Sequence, residues 1–137
     1  MALHQVLEQL EISTPGRGFT RLNEMLNTWI AGQGLRQGML HLTCLHTSAS
    51  LTINENADPR VLHDLQTWMD VVVPQDGCGP LNPFGARIRY RHDDEGSDDM
   101  PAHIRTALTS QTLSLSIDDG RLLLGTWQGI YLWIRQR

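Results

Sequence analysis

Asp119-Gly120 stands between two alternating apolar runs, residues 112–117 and 122–126, and commits this part of the chain to paired antiparallel strands. The central residues of a two-residue hairpin turn take positive φ, which glycine accepts freely and aspartate better than most. A last strand through Arg135 then completes a predicted β-meander. Helical periods dominate elsewhere. Leu22, Met25, Leu26, Trp29 and Ile30 fall at helical spacing, with Gly32 and Gly34 as stops. Asp58 reads as an N-cap and Pro59 as a first helical residue, where its missing N–H does no harm. From there Val61, Leu62, Leu65, Trp68, Met69 and Val72 form one apolar stripe running to Pro74 and facing a core. Asp99-Met100-Pro101 opens a third helix through Ala102, Ile104, Ala107 and Leu108.

Between the helices, residues 38–46 and 50–54 read as strands, residues 75–85 as a Gly/Pro-rich loop, and residues 86–92 as a short strand. Residues 3–12 read as an opening strand, broken by the turn formers at residues 14–18. Helices and strands mix without regular βαβ alternation, so the fold class is α+β. At 137 residues the chain fits a single domain, 1–137, able to bury roughly two-thirds of its unfolded surface.

A formal charge of −4, from 11 basic and 15 acidic residues, argues against nucleic acid as a partner. Trp29, Trp68, Trp127 and Trp133 are too scattered for a base-stacking platform. No run is long enough to cross a membrane, and the N-terminus lacks the pattern of a signal peptide, so a cytoplasmic location is expected. Cys44 and Cys78 lie far apart and fit neither a disulfide framework nor a cysteine-rich zinc site.

Two polar segments carry the candidate chemistry. Residues 46–58 place one imidazole (His46), four hydroxyls, two amides and two carboxylates at a strand–turn–helix junction. Such a segment supplies donors and acceptors to a polar ligand beside the free N–H groups of a helix start. It equally serves to satisfy turns and a cap. Residues 92–103 hold five of the 15 acidic residues between His92 and His103. Crowded carboxylates call for solvent or a cation, so this is either an exposed loop or a metal site. His46, His92 and His103 can converge on one ion, of zinc type by their imidazoles, or of magnesium type if the carboxylates hold it on a phosphate. His4, His41 and His63 carry no comparable signal, and residues 125–129 read equally as a ligand cradle or a bulge.

Three runs, HTSASLTINENADP at 46–59, HDDEGSDDMPAHI at 92–104 and LLGTWQGIYL at 123–132, resemble the YjbQ-like family in wording and order. The resemblance implies an α+β fold on a β-sandwich core with about three helices, assembled as a homotrimer. It also implies a secondary transferase activity of the thiamine-phosphate synthase type. That activity joins hydroxymethylpyrimidine diphosphate to hydroxyethylthiazole phosphate with loss of diphosphate. Carried onto this chain, the motifs imply a divalent metal, zinc or magnesium, on His46, His92 and His103. They imply catalytic roles for Glu55, Asp99 and Gln128, and contacts to a small phosphorylated or anionic molecule from Thr47, Ser48, Asn54 and Thr126. Gly96 and Asp58 also match. The family usually has a glutamate where Ile134 stands here, and a further strand beyond the position of Arg137. Those departures imply a sheet edge left open at the last strand. They favour the alternative reading, a non-catalytic trimer binding a metal or an anionic metabolite.

Overall fold

A computed structural model describes residues 2–135. The element order is β1 (Gly18–Arg21), α1 (Asn23–Gly32), β2 (Gly38–Thr43), β3 (Ala49–Glu55), α2 (Pro59–Val72), α3 (Asp99–Ala107), β4 (Thr112–Asp118), β5 (Arg121–Leu122) and β6 (Gln128–Ile134). The strands form two antiparallel three-stranded sheets, ordered β1-β6-β3 and β2-β4-β5. Leu40, Leu115 and Ile117 of one sheet meet Ala49, Leu51, Ile130 and Leu132 of the other, and Leu22, which precedes α1, closes that core with Leu26 and Ile30 of the helix. Strand alternation turns Trp133 to the opposite face, where it packs with Met69, Val73, Phe19, Leu65 and Ile104 under α2 and α3. The molecule is thus a sandwich with α2 and α3 covering the outer face of one sheet.

Local signals explain most boundaries. Asp119 (φ 51°) and Gly120 (φ 73°) form the left-handed pair of the β4–β5 hairpin. The Asp58 carboxylate accepts the Arg60 N–H at 3.0 Å, with Pro59 beside it as the first helical residue. Replacing Asp58 by alanine is expected to lower the thermal midpoint and fray the first turn of α2, measurable by far-UV circular dichroism. α1 is locked by side-chain amides: Asn23 Oδ1 accepts the Ile130 N–H at 2.8 Å and Asn27 Oδ1 the Leu122 N–H at 2.9 Å.

Four expectations are corrected. Residues 3–12 form no strand; Leu3 and Leu7 are exposed, and the place beside β6 is taken by β1. The reason is Phe19, whose ring stacks on Trp133 at 4.4 Å, a contact that the 3–12 segment does not make. Residues 86–92 contribute only a single bridge, Ile88 to Cys78, because Cys78 lies in a turn-rich loop with no strand to extend the ladder. The terminal strands are no meander: β5 stops after two residues and β6 crosses to the other sheet. There β6 is the central strand, flanked by β1 and β3, so the last strand is not an open edge. Arg137 lies outside the described residues.

The fourth correction concerns α2. Met69 and Val73 are buried, but Trp68 is 57% exposed and Val72 47%. The covered face is rotated toward Gln66 and Asp70, whose polar ends meet Trp133 and a group of arginines. Apolar periodicity alone could not show that rotation.

Candidate functional site

Residues 92–103 bring three potential ligands together. His92 begins a loop, Asp99 occupies the first turn of α3, and His103 follows one turn later on the same face. Gly96, at φ +103°, takes the left-handed conformation that returns the loop to the helix start. His92 Nε2 then lies 2.5 Å from Asp99 Oδ2, and His103 Nε2 lies 3.3 Å from the same oxygen. The two imidazole rings meet edge to face with centroids 5.5 Å apart. One donor atom from each of the three residues lies within 4.8 Å of the others. α3 is anchored by buried Pro101 and Ala102, which sets Asp99 and His103 at a fixed height.

The electrostatics there favour positive charge. Asp99 is nearly buried and sits at a helix N-terminus, where the macrodipole favours a carboxylate. Its hydrogen bond to His92 holds that imidazole above the ordinary histidine pKa, with further pull from the charges of Asp99, Glu95 and Asp94. Glu95 and Asp94 approach His92 to 3.5 and 3.9 Å. Two imidazoles and one carboxylate are a common zinc donor set, and ligands on one tetrahedral ion stand about 3.4 Å apart given bonds of about 2.1 Å. The Asp99–His103 separation already has that size. The shorter Asp99–His92 contact holds a proton, which an arriving cation would displace.

The sign of the pH dependence follows. Because the folded His92 pKa is raised, its charged pairing with Asp99 stabilises fully below about 6.5, the unfolded value, and is lost as pH rises through the higher folded value. A cation needs the deprotonated ring. Zinc affinity is therefore expected to climb with pH across that same window, and titration calorimetry at stepped pH checks it.

The remaining candidate residues lie elsewhere. His46 is exposed, and its Nδ1 is engaged by the Ser48 N–H at 3.0 Å and the Ser48 hydroxyl at 2.8 Å. Thr47 is exposed beside it. His46 is not part of the three-residue donor group found among the described residues. Asn54, Glu55, Thr126 and Gln128 gather at the other end of β3, paired there with the start of β6. Six residue steps of extended strand, about 20 Å, separate the two ends. Asn54 Oδ1 accepts the Glu55 N–H at 2.8 Å. Glu55 Oε2 accepts the N–H groups of Asn56 and Ala57 at 3.0 and 3.3 Å. Gln128 Oε1 accepts the Gly125 N–H at 2.8 Å, and the Asn56 amide donates to the Thr126 carbonyl at 3.0 Å. These polar ends hold turns. Cys44 and Cys78 are free thiols. Among the described residues, no helix is long and apolar enough to cross a membrane.

Fold and site together define a class: an α+β sandwich carrying a histidine–aspartate cluster at the start of its third helix. Residues 8–136 match the family model described as UPF0047 protein YjbQ-like, and the chain belongs to that family. It is 45% identical over 126 residues to UPF0047 protein sll1880 of Synechocystis, covering 92% of this chain and 79% of that one. It is 42% identical over 124 residues to UPF0047 protein YjbQ of Escherichia coli, covering 90% and 82%. An uncharacterized conserved protein of the yjbq/upf0047 family from Clostridium acetobutylicum, solved by crystallography, superposes with a TM-score of 0.73 at 33% identity. That match covers 93% of this chain and 88% of the Clostridium chain.

Proposed function

We propose that the protein binds a divalent cation of the zinc class through His92, Asp99 and His103, and presents it to a small phosphorylated or anionic molecule. The observation that supports this most is the convergence of those three donors from a loop and one helix face within 4.8 Å. Metal-stripped protein should bind one zinc ion per chain in a calorimetric titration. Retention of wild-type affinity in both His92→Ala and His103→Ala would remove the proposal.

The transferase of thiamine-phosphate synthase type is the more specific reading, supported by the motif resemblance. When bound, the cation would supply positive charge where departing diphosphate leaves negative charge. Asp99 would hold the ligand set in place, whereas Glu55 and Gln128 are committed to turn hydrogen bonds in this structure. Cation binding without catalysis is therefore the stronger reading. Incubating zinc- or magnesium-loaded protein with the two thiamine precursors separates them: metal-dependent release of diphosphate supports the transferase, and binding without turnover supports the alternative.

We also propose that the chain is a cytoplasmic homotrimer, the assembly being the one that the motif resemblance implies. Trp68, Val71 and Val72 expose apolar surface along α2, a face that suits burial against another copy. A monomer by light scattering at micromolar concentration would exclude the assembly.

A further inference from the structure

On the face of α3 opposite His103 the fold buries an unbalanced group of cations. Arg105 is 1% exposed and Arg135 is 0% exposed. Arg135 follows Trp133 on the helix-facing side of β6, and its guanidinium carbon lies 3.5 Å over that indole ring. It donates to Ser50 Oγ at 2.7 Å and Thr109 Oγ1 at 3.0 Å. Arg105 donates to the Val73 carbonyl at 3.1 Å and lies 3.1 Å from Asp70 Oδ1. Arg17 and the Gln66 amide engage that same oxygen.

Asp70 therefore serves two of the three guanidiniums, Arg17 and Arg105, and Asp98 adds a further pull on Arg105. Among the described residues, Nε and Nη1 of Arg105, Nε and Nη1 of Arg135, and Nε of Arg17 have no hydrogen-bond partner. Buried donors of this kind are rare, and charged ones rarer, unless something absent satisfies them. Burial, then Arg105 and Arg17, push the Arg135 pKa down to about 9. Since a guanidinium keeps its proton in proteins, that push expresses a demand for negative charge rather than a titration. Burial and Arg17 pull Arg105 in the same direction. Arg17, the outermost of the three, also lines an open cleft of about 590 Å³ together with Pro15, Gly16, Gly18 and Gln66. Arg17 and Gln66 are the residues that meet Asp70, whose side chain is 44% exposed.

We propose that this cleft binds a small oxyanion of the phosphate class, met by Arg17 at the cleft wall, with the buried Arg105 and Arg135 supplying positive charge behind it. Three guanidiniums against the carboxylates of Asp70 and, less directly, Asp98 leave an excess of positive charge that an oxyanion of the phosphate class would balance. Arginine forks also fit phosphate oxygens in two-point contacts. The site is independent of the cation cluster. Asp99 and His103 lie near one line along α3, whereas Arg105 is two residues beyond His103 and so points about 200° round the helix.

The test is calorimetric titration of EDTA-treated protein with inorganic phosphate, so that no bound metal can recruit the anion. One phosphate per chain is expected, with a rise in thermal midpoint. Arg17 sits at the rim, so Arg17→Ala should fold and should weaken binding about tenfold or more, the scale of one charge-assisted hydrogen bond. Arg135→Met, which keeps the chain volume and removes the rear charge, should weaken it several-fold. Acetate is the second arm: stabilisation by acetate and not by phosphate overturns the phosphate assignment in favour of a carboxylate. Failure of phosphate to bind, or equal affinity in wild type and Arg17→Ala, overturns the site.

Discussion

Ile130→Ala should lower the unfolding free energy by about 2–5 kcal/mol, while Trp68→Ala should change it by less than about 1 kcal/mol. Ile130 is 0% exposed and sits on the central strand of its sheet, where it packs between both sheets and α1. Neighbours on two strands and a helix cannot all move in to fill the space its side chain leaves, so a cavity term adds to the lost transfer energy. Trp68 lies on the outward side of α2 and is 57% exposed, so its truncation opens no cavity in an isolated chain. Urea unfolding of both variants reads the contrast at unchanged slope. If Trp68→Ala proved the more damaging in protein that light scattering shows to be monomeric, the orientation of α2 would be wrong; in a trimer the same loss would place Trp68 in the interface.

The second large effect belongs to the cation cluster. His103→Ala removes one of three donors, and zinc affinity should fall about 100-fold or more, beyond the 10–100-fold typical of residues that merely support a metal ligand. His92→Ala should behave alike. His46→Ala should leave affinity within a few-fold of wild type, because the His46 ring is engaged with Ser48 and stands outside the three-donor group. Circular dichroism distinguishes loss of the site from loss of the fold. A His46→Ala defect equal to that of His103→Ala would mean that His46 joins the ion after all.

The contrast between these histidines shows what was legible from the chain alone. Elements with strong local chemistry were: Asp58-Pro59 starting α2, Asp119-Gly120 turning β4 into β5, and the Asp99-Met100-Pro101 start of α3. The grouping of His92, Asp99 and His103 was foreseeable in part, because Asp99 and His103 stand one helical turn apart and His92 is a short loop away. Features that depend on long-range pairing were hidden. Nothing local tells that β6 leaves its hairpin neighbours to become the centre of the other sheet, or that Gly18–Arg21 rather than residues 3–12 lies beside it. The arginine group was missed for the same reason. Arg17, Asp70, Arg105 and Arg135 come from four separated stretches, and each reads alone as an ordinary surface charge. One sign was available: Arg135 stands two residues after Trp133, just past the end of an apolar strand, a spacing that sends both side chains to one face.

Anomalous diffraction at the zinc absorption edge, on crystals soaked in zinc, tests the central claim most directly. The account predicts a peak bonded to His92 Nε2, Asp99 Oδ2 and His103 Nε2 at about 2.0–2.2 Å, with the His92–Asp99 contact opened from 2.5 Å to zinc-ligand spacing. No peak there, or a peak held by His46 and Ser48 instead, would contradict it.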